Sequence, residues 1–160
     1  MHKQKHRVNI TGLLRIDGRA QPSARAVELL HLMAHEGPSL RKSEVEEALY
    51  GGYCSRSSLW YPLKVCQDAG VDIRYDAEHH SVVLVDEVLF DTDVALGYLE
   101  QGDLSAALWM LDGWPNSRGA GAYSERIAEE LRRAIASTPG GLTCSELEDA
   151  YNHLDMQRAG

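Results

Sequence analysis

Residues 40–69 read LRKSEVEEALYGGYCSRSSLWYPLKVCQDA. Val45, Ala48 and Leu49 fall on one face at helical spacing, and Leu40 with Val45 brackets a helix start as a hydrophobic staple. Gly51-Gly52 ends that helix, because glycine enters the left-handed conformation at a helix C-terminus without a steric penalty. Ser55 then caps a second helix with Leu59, Leu63 and Cys66 turned inward, and Gly70 closes it. Pro62 sits inside this helix. Proline is tolerated in the first turns, but deeper it removes a hydrogen bond and bends the chain.

Working outward, Ser23, with Pro22 just outside, caps an earlier helix that runs to about His35. Its buried face is Ala26, Val27, Leu30, Met33 and Ala34, and Gly37-Pro38 stops it. Beyond Gly70, Val71–Tyr75 and Ser81–Val85 have the alternating or apolar pattern of strands and flank the turn DAEHH. Near the N-terminus, Arg7–Ile10 and Leu13–Ile16 are apolar-rich runs. Asp17-Gly18 marks a tight hairpin whose arms are Leu13–Ile16 and Ala20–Gln21. A small sheet, three helices and a β-ribbon, in that order, are the sequence form of a winged helix. This fold most often lays its third helix in the DNA major groove.

From Phe90 onward the pattern is helical. Leu104, Ala107, Leu108 and Leu111 share one face, and Tyr123, Ile127, Leu131 and Ile135 recur at i+4. Gly113–Gly121 reads as a loop and Pro139-Gly140-Gly141 as a break. Thr143-x-x-Glu146 is a capping box stapled by Leu142 and Leu147. The expected class is α+β: a winged helix over 7–87 and an all-α region over 88–160, after a flexible basic segment 1–6. Residues 26–49 also echo residues 128–151 at a constant shift, including a shared LxxSExE. That echo is either common helix-start grammar or the beginning of a second helix-turn-helix.

The formal net charge of −8 disfavours polyanions, but it is unevenly spread. Residues 1–87 hold 11 Lys/Arg against 12 Asp/Glu, and residues 88–160 hold 5 against 12. Every lysine lies in the first part, which is therefore the better candidate for touching nucleic acid. Three cysteines, Cys54, Cys66 and Cys144, form no disulfide pattern, so a reducing cytoplasm is the expected compartment. No apolar run approaches the roughly 20 residues of a membrane span, and no signal-peptide core is present.

These stretches resemble a known architecture. LRKSEVEEALYGG (40–52), with Val45, Ala48, Leu49 and Tyr50, is similar to the second helix of the winged-helix domain in response-regulator-type bacterial transcription factors. LLRIDGRAQ (13–21) fits the N-terminal strands of that domain. VLFDTDVALGYLEQGDLSAALWMLDGWPNS (88–117), with its Gly-Asp-x-x-x-Ala-Leu helix, resembles the start of a bacterial transcriptional activator domain. That helical, TPR-like unit follows the winged helix in activators of the antibiotic-regulatory-protein type. The resemblance spans roughly residues 7–136 and implies a promoter-binding regulator. Two departures stand against it. The family's third helix ends in a Ser-Arg-Leu-Arg-like run, where this chain has Lys64-Val65-Cys66-Gln67 and then Asp68. The family's helical domain is also longer than residues 88–160.

On this reading the third helix presents Arg56, Ser57, Trp60, Lys64 and Gln67 to DNA. Arginine is suited to guanine edges and glutamine to adenine edges. Ser57 and Ser58 offer donors to a phosphate near the helix start, and Arg41 and Lys42 clamp the backbone from the second helix. Arg74, His79 and His80 place the wing near the minor groove. The expected partners are double-stranded DNA, a second copy of the chain, and transcription machinery or another protein, with no membrane. The alternative is a winged helix kept for protein contacts that has lost DNA binding, with Trp60, Tyr61 and the helical half making the contacts. No catalytic constellation and no cofactor motif stand out, so no enzyme is expected. His79-His80 with Cys54 matches no zinc spacing.

Overall fold

A computed structural model describes residues 3–11, 14–20, 23–52, 55–111 and 122–138. Among them lie two small sheets and six helices, a mixed architecture consistent with the α+β class. The N-terminal sheet is built from β1 (Lys5–Asn9), β2 (Arg15–Ile16), β3 (Arg19–Ala20) and β7 (Glu87–Phe90), in the order β3-β2-β1-β7. The second sheet, in the order β4-β6-β5, joins β4 (Ser39–Arg41), β5 (Ile73–Asp76) and β6 (Ser81–Leu84). The helices are α1 (Ala24–Glu36), α2 (Lys42–Tyr50), α3 (Arg56–Asp68), α4 (Asp91–Glu100), α5 (Leu104–Met110) and α6 (Ala122–Ser137).

Local sequence sets most of these boundaries. The β2–β3 turn is Asp17-Gly18 with φ of 52° and 82°. Two successive positive φ values match the right-handed twist of a hairpin, and glycine carries the second at no steric cost. Ser23 Oγ accepts the N–H of Ala26 and caps α1. Gly51, at φ 75°, ends α2, its N–H reaching the carbonyl of Glu47. Ser55 Oγ accepts the N–H of Ser58 and caps α3.

The first core is formed by α1, α2 and α3 over the sheets. Val27, Leu30, Met33, Val45, Leu49, Leu59, Leu63, Cys66, Ile73, Val82 and Phe90 are all buried in it. Each large apolar side chain of this kind contributes about 1.5–3 kcal/mol on leaving water. A second cluster joins α4, α5 and α6 through Ala95, Leu99, Ala107, Leu111, Leu131 and Ile135. Asp91 links the two. Its buried carboxylate accepts the N–H groups of Ile10, Thr11 and Thr92 and the hydroxyl of Thr11, which pins the start of α4 to the end of β1.

Several expectations are corrected. The segment expected to be flexible, 1–6, contains ordered structure from Gln4 onward. The Gln4 N–H donates to Asp86, and Lys5 and His6 lie in β1 beside β7. The division at 87/88 falls inside β7, whose Phe90 belongs to the first core. The first strand is Lys5–Asn9 rather than Arg7–Ile10, and the hairpin arms are β2 and β3 rather than Leu13–Ile16 and Ala20–Gln21. The ribbon strands are shorter than Val71–Tyr75 and Ser81–Val85 at one end or the other. Strand β4 is an element that the sequence pattern does not announce. The side chain of Tyr123, the Thr143 capping box, Cys54, Cys144 and residues 139–151 of the echo lie outside the described residues. No helix among the described residues is long and apolar enough to cross a membrane.

Candidate nucleic-acid interface

The outer face of α3 is open to solvent. Ser57, Trp60, Tyr61, Lys64 and Gln67 are exposed along it, whereas Leu59, Leu63 and Cys66 are buried beneath. Trp60 retains 51% and Tyr61 57% of their surface. Arg56 is the first residue of α3. Ser58 is half-buried and engaged at the cap, where Ser55 Oγ lies 2.7 Å from its hydroxyl.

Pro62 stands in the seventh position of α3 and is buried. It lacks the N–H that would donate to the Ser58 carbonyl. The hydroxyl of Tyr50, the last residue of α2, donates to that carbonyl instead. Arg25, from the first turn of α1, lies over the Tyr50 ring at 4.7 Å and donates to the carbonyl of Leu49 at the end of α2. Ser23, Arg25, Tyr50, Ser57, Ser58 and Tyr61 therefore line one shallow groove between α1 and α3. No local pattern marks Arg25 and Tyr50 for this place, because their partners are distant along the chain.

Strand pairing brings the start of α2 to the hairpin. Arg41 pairs with Ser81 in the β4–β6 ladder, and the Lys42 N–H donates to the His80 carbonyl at 2.8 Å. Arg41, Lys42, His79 and His80 thus gather at one end of the second sheet. Gln67 and Arg74 gather near its other edge. Gln67 Nε2 donates to the Ile73 carbonyl at 2.8 Å, and Arg74 follows in β5.

The positive charge in this set is largely answered from within. Arg74 is held by both oxygens of Asp72, at 2.7 and 2.8 Å, and these hydrogen bonds push its guanidinium further toward the charged form. Lys42 lies 3.8 Å from Glu46. His79 Nδ1 lies 2.7 Å from Asp76, whose carboxylate also accepts the N–H groups of Glu78 and His79 and so shapes the turn. Asp76 is held below the usual carboxylate range, chiefly by its bond to His79. His80, at φ 47°, is the left-handed residue that closes the tip. Arg41 and Lys64 remain exposed.

No protein-family model matches this chain, and neither does any curated protein or solved structure.

Proposed function

We propose that this chain is a DNA-binding transcription regulator of winged-helix architecture. α3 is the recognition helix, the β5–β6 hairpin is the wing, and the helical region provides dimerisation or partner contact. The observation that carries this reading is the uncovered outer face of α3, presented on a scaffold of α1, β4, α2, α3, β5 and β6. That element order, with the strand after α1 pairing to the ribbon, supports the reading. The resemblance of residues 40–52 and 88–117 to a promoter-binding activator points the same way.

Charge sets the strength of such binding. Each phosphate neutralised adds about 0.9 to the salt slope on duplex DNA. Arg41 and Lys64 carry most of the described charge on offer, because Arg74, Lys42 and His79 are engaged by carboxylates. One copy therefore binds weakly at physiological salt, and two copies on adjacent half-sites recover affinity. Selection from a random duplex library, followed by titration of the selected duplex over a salt series, tests the reading. Saturable binding that weakens steeply with salt supports it.

A second reading is a winged helix serving as a protein-interaction module. The specific observation in its favour is the pair Trp60 and Tyr61, adjacent and more than half exposed on α3. Exposed aromatics at the centre of a face are typical anchors of protein interfaces. Release of a captured protein by Trp60→Ala, with no binding to selected DNA, favours this module.

A further inference from the structure

His31 and His35 stand one turn apart on α1, and Asp93 reaches them from the first turn of α4. One ligand atom from each lies within 4.8 Å of the other two. Nε2 of His35 is 2.9 Å from one oxygen of Asp93 and 3.1 Å from the other. The His31 ring stacks on His35 at 4.2 Å between centroids and meets Phe90 edge-on at 4.4 Å. His31 is buried, whereas His35 and Asp93 sit at the solvent edge.

We propose that His31, His35 and Asp93 form a binding site for a divalent transition metal of the zinc class, tying α1 to α4. Two imidazoles and one carboxylate are a donor set that zinc accepts, and a fourth position is left for water. Histidines at i and i+4 on one helix face are a recurrent way to aim two such donors at one ion. A metal takes the neutral imidazole.

Zinc–nitrogen bonds of about 2.0–2.1 Å place ligand atoms roughly 3.3 Å apart around a tetrahedral ion. Binding therefore turns His35 out of the stack, widens the 2.9 Å separation between His35 and Asp93 slightly, and brings both toward His31. Both residues are at the solvent edge, where this movement meets little resistance, while Phe90 fixes His31. The ion joins the first core to the helical cluster, since α1 belongs to one and α4 to the other. The other cluster of donors among the described residues, Asp76, Glu78 and His79, is weaker. It lies in the exposed hairpin tip, and Asp76 already accepts from three donors there.

Titration of the full chain with Zn²⁺ by calorimetry, and with Co²⁺ by visible absorption, tests the site. The expected result is one saturable ion with the absorption of tetrahedral cobalt. His35→Ala and Asp93→Asn, both at the solvent edge, each weaken it by more than the roughly tenfold that losing even an outer-shell partner costs. His79→Ala leaves it unchanged. No saturable binding, or binding that survives His35→Ala and disappears in His79→Ala, overturns the proposal.

Discussion

The hydroxyl of Tyr50 donates to the carbonyl of Ser58, the group that Pro62 leaves without its helical partner. A proline in the middle of an exposed helix costs about 3 kcal/mol, partly through that lost bond. Here a side chain from the preceding helix supplies the missing donor and ties α2 to α3 across the turn.

Tyr50→Phe should therefore lower unfolding free energy by about 1 kcal/mol, the typical worth of a hydrogen bond to a group that is otherwise left unmade. In a Pro62→Ala background the restored backbone N–H takes the Ser58 carbonyl, and the same Tyr50→Phe change should cost much less. A double-mutant cycle by urea denaturation reads the difference. Equal costs in both backgrounds would show that Tyr50 does not stand in for the helical donor.

His6 is buried between two carboxylates, with Nδ1 2.7 Å from Asp17 and Nε2 2.8 Å from Asp86. Burial alone would lower its pKa, but the hydrogen bonds and charges of Asp17 and Asp86 outweigh it and raise the value above 6.5. Both aspartates are lowered from 3.8. Burial opposes that change, while for each the bond to His6 and backbone N–H donors drive it. The folded state thus binds the His6 proton more tightly than the unfolded chain does. Stability from His6 is full below pH 6.5 and is lost as pH rises through the folded value. Stability from the aspartates is present above pH 3.8 and is lost as pH falls through their depressed values. Urea midpoints should fall on the alkaline side of pH 6.5 in the wild type. His6→Gln should flatten that decline. An equal decline in both proteins would place the titrating group elsewhere.

Cys66 is buried, its sulfur 3.4 Å from the Ala26 carbonyl, and burial pushes its thiol up to about 12. Since the thiolate is the reactive form, Cys66 should resist a disulfide reagent at neutral pH in the folded protein. In a chain carrying Cys54→Ser and Cys144→Ser, reaction should appear only across the urea transition. Rapid labelling without denaturant would contradict the packing of α3 on α1.

Much of this architecture is legible in the sequence because local chemistry decides it. Ser23 and Ser55 are capping residues, Gly51 is a left-handed stop, and Asp17-Gly18 is the hairpin turn. The inward set Leu59, Leu63 and Cys66 follows from periodicity alone. What escapes a sequence reading depends on distant partners. Ser39–Arg41 has one apolar residue and becomes a strand only because Val83, Val82 and Ser81 lie alongside it. The expected domain boundary cuts Glu87–Phe90 because its parallel partner, β1, is some eighty residues away. The candidate interface is legible as positions and less so as charge. Arg74 and Lys42 each read as an available cation in the sequence, whereas the fold sets Asp72 and Glu46 beside them, and Asp76 beside His79.

That charge balance makes the salt dependence of DNA binding the most direct test of the central claim. Affinity for a selected duplex should fall linearly on a log–log plot, and Arg41→Ala and Lys64→Ala should each reduce the slope by about 1. Asp72→Asn, which releases Arg74, should tighten binding. A slope near zero, or one that neither Arg41→Ala nor Lys64→Ala alters, would contradict a DNA-reading α3.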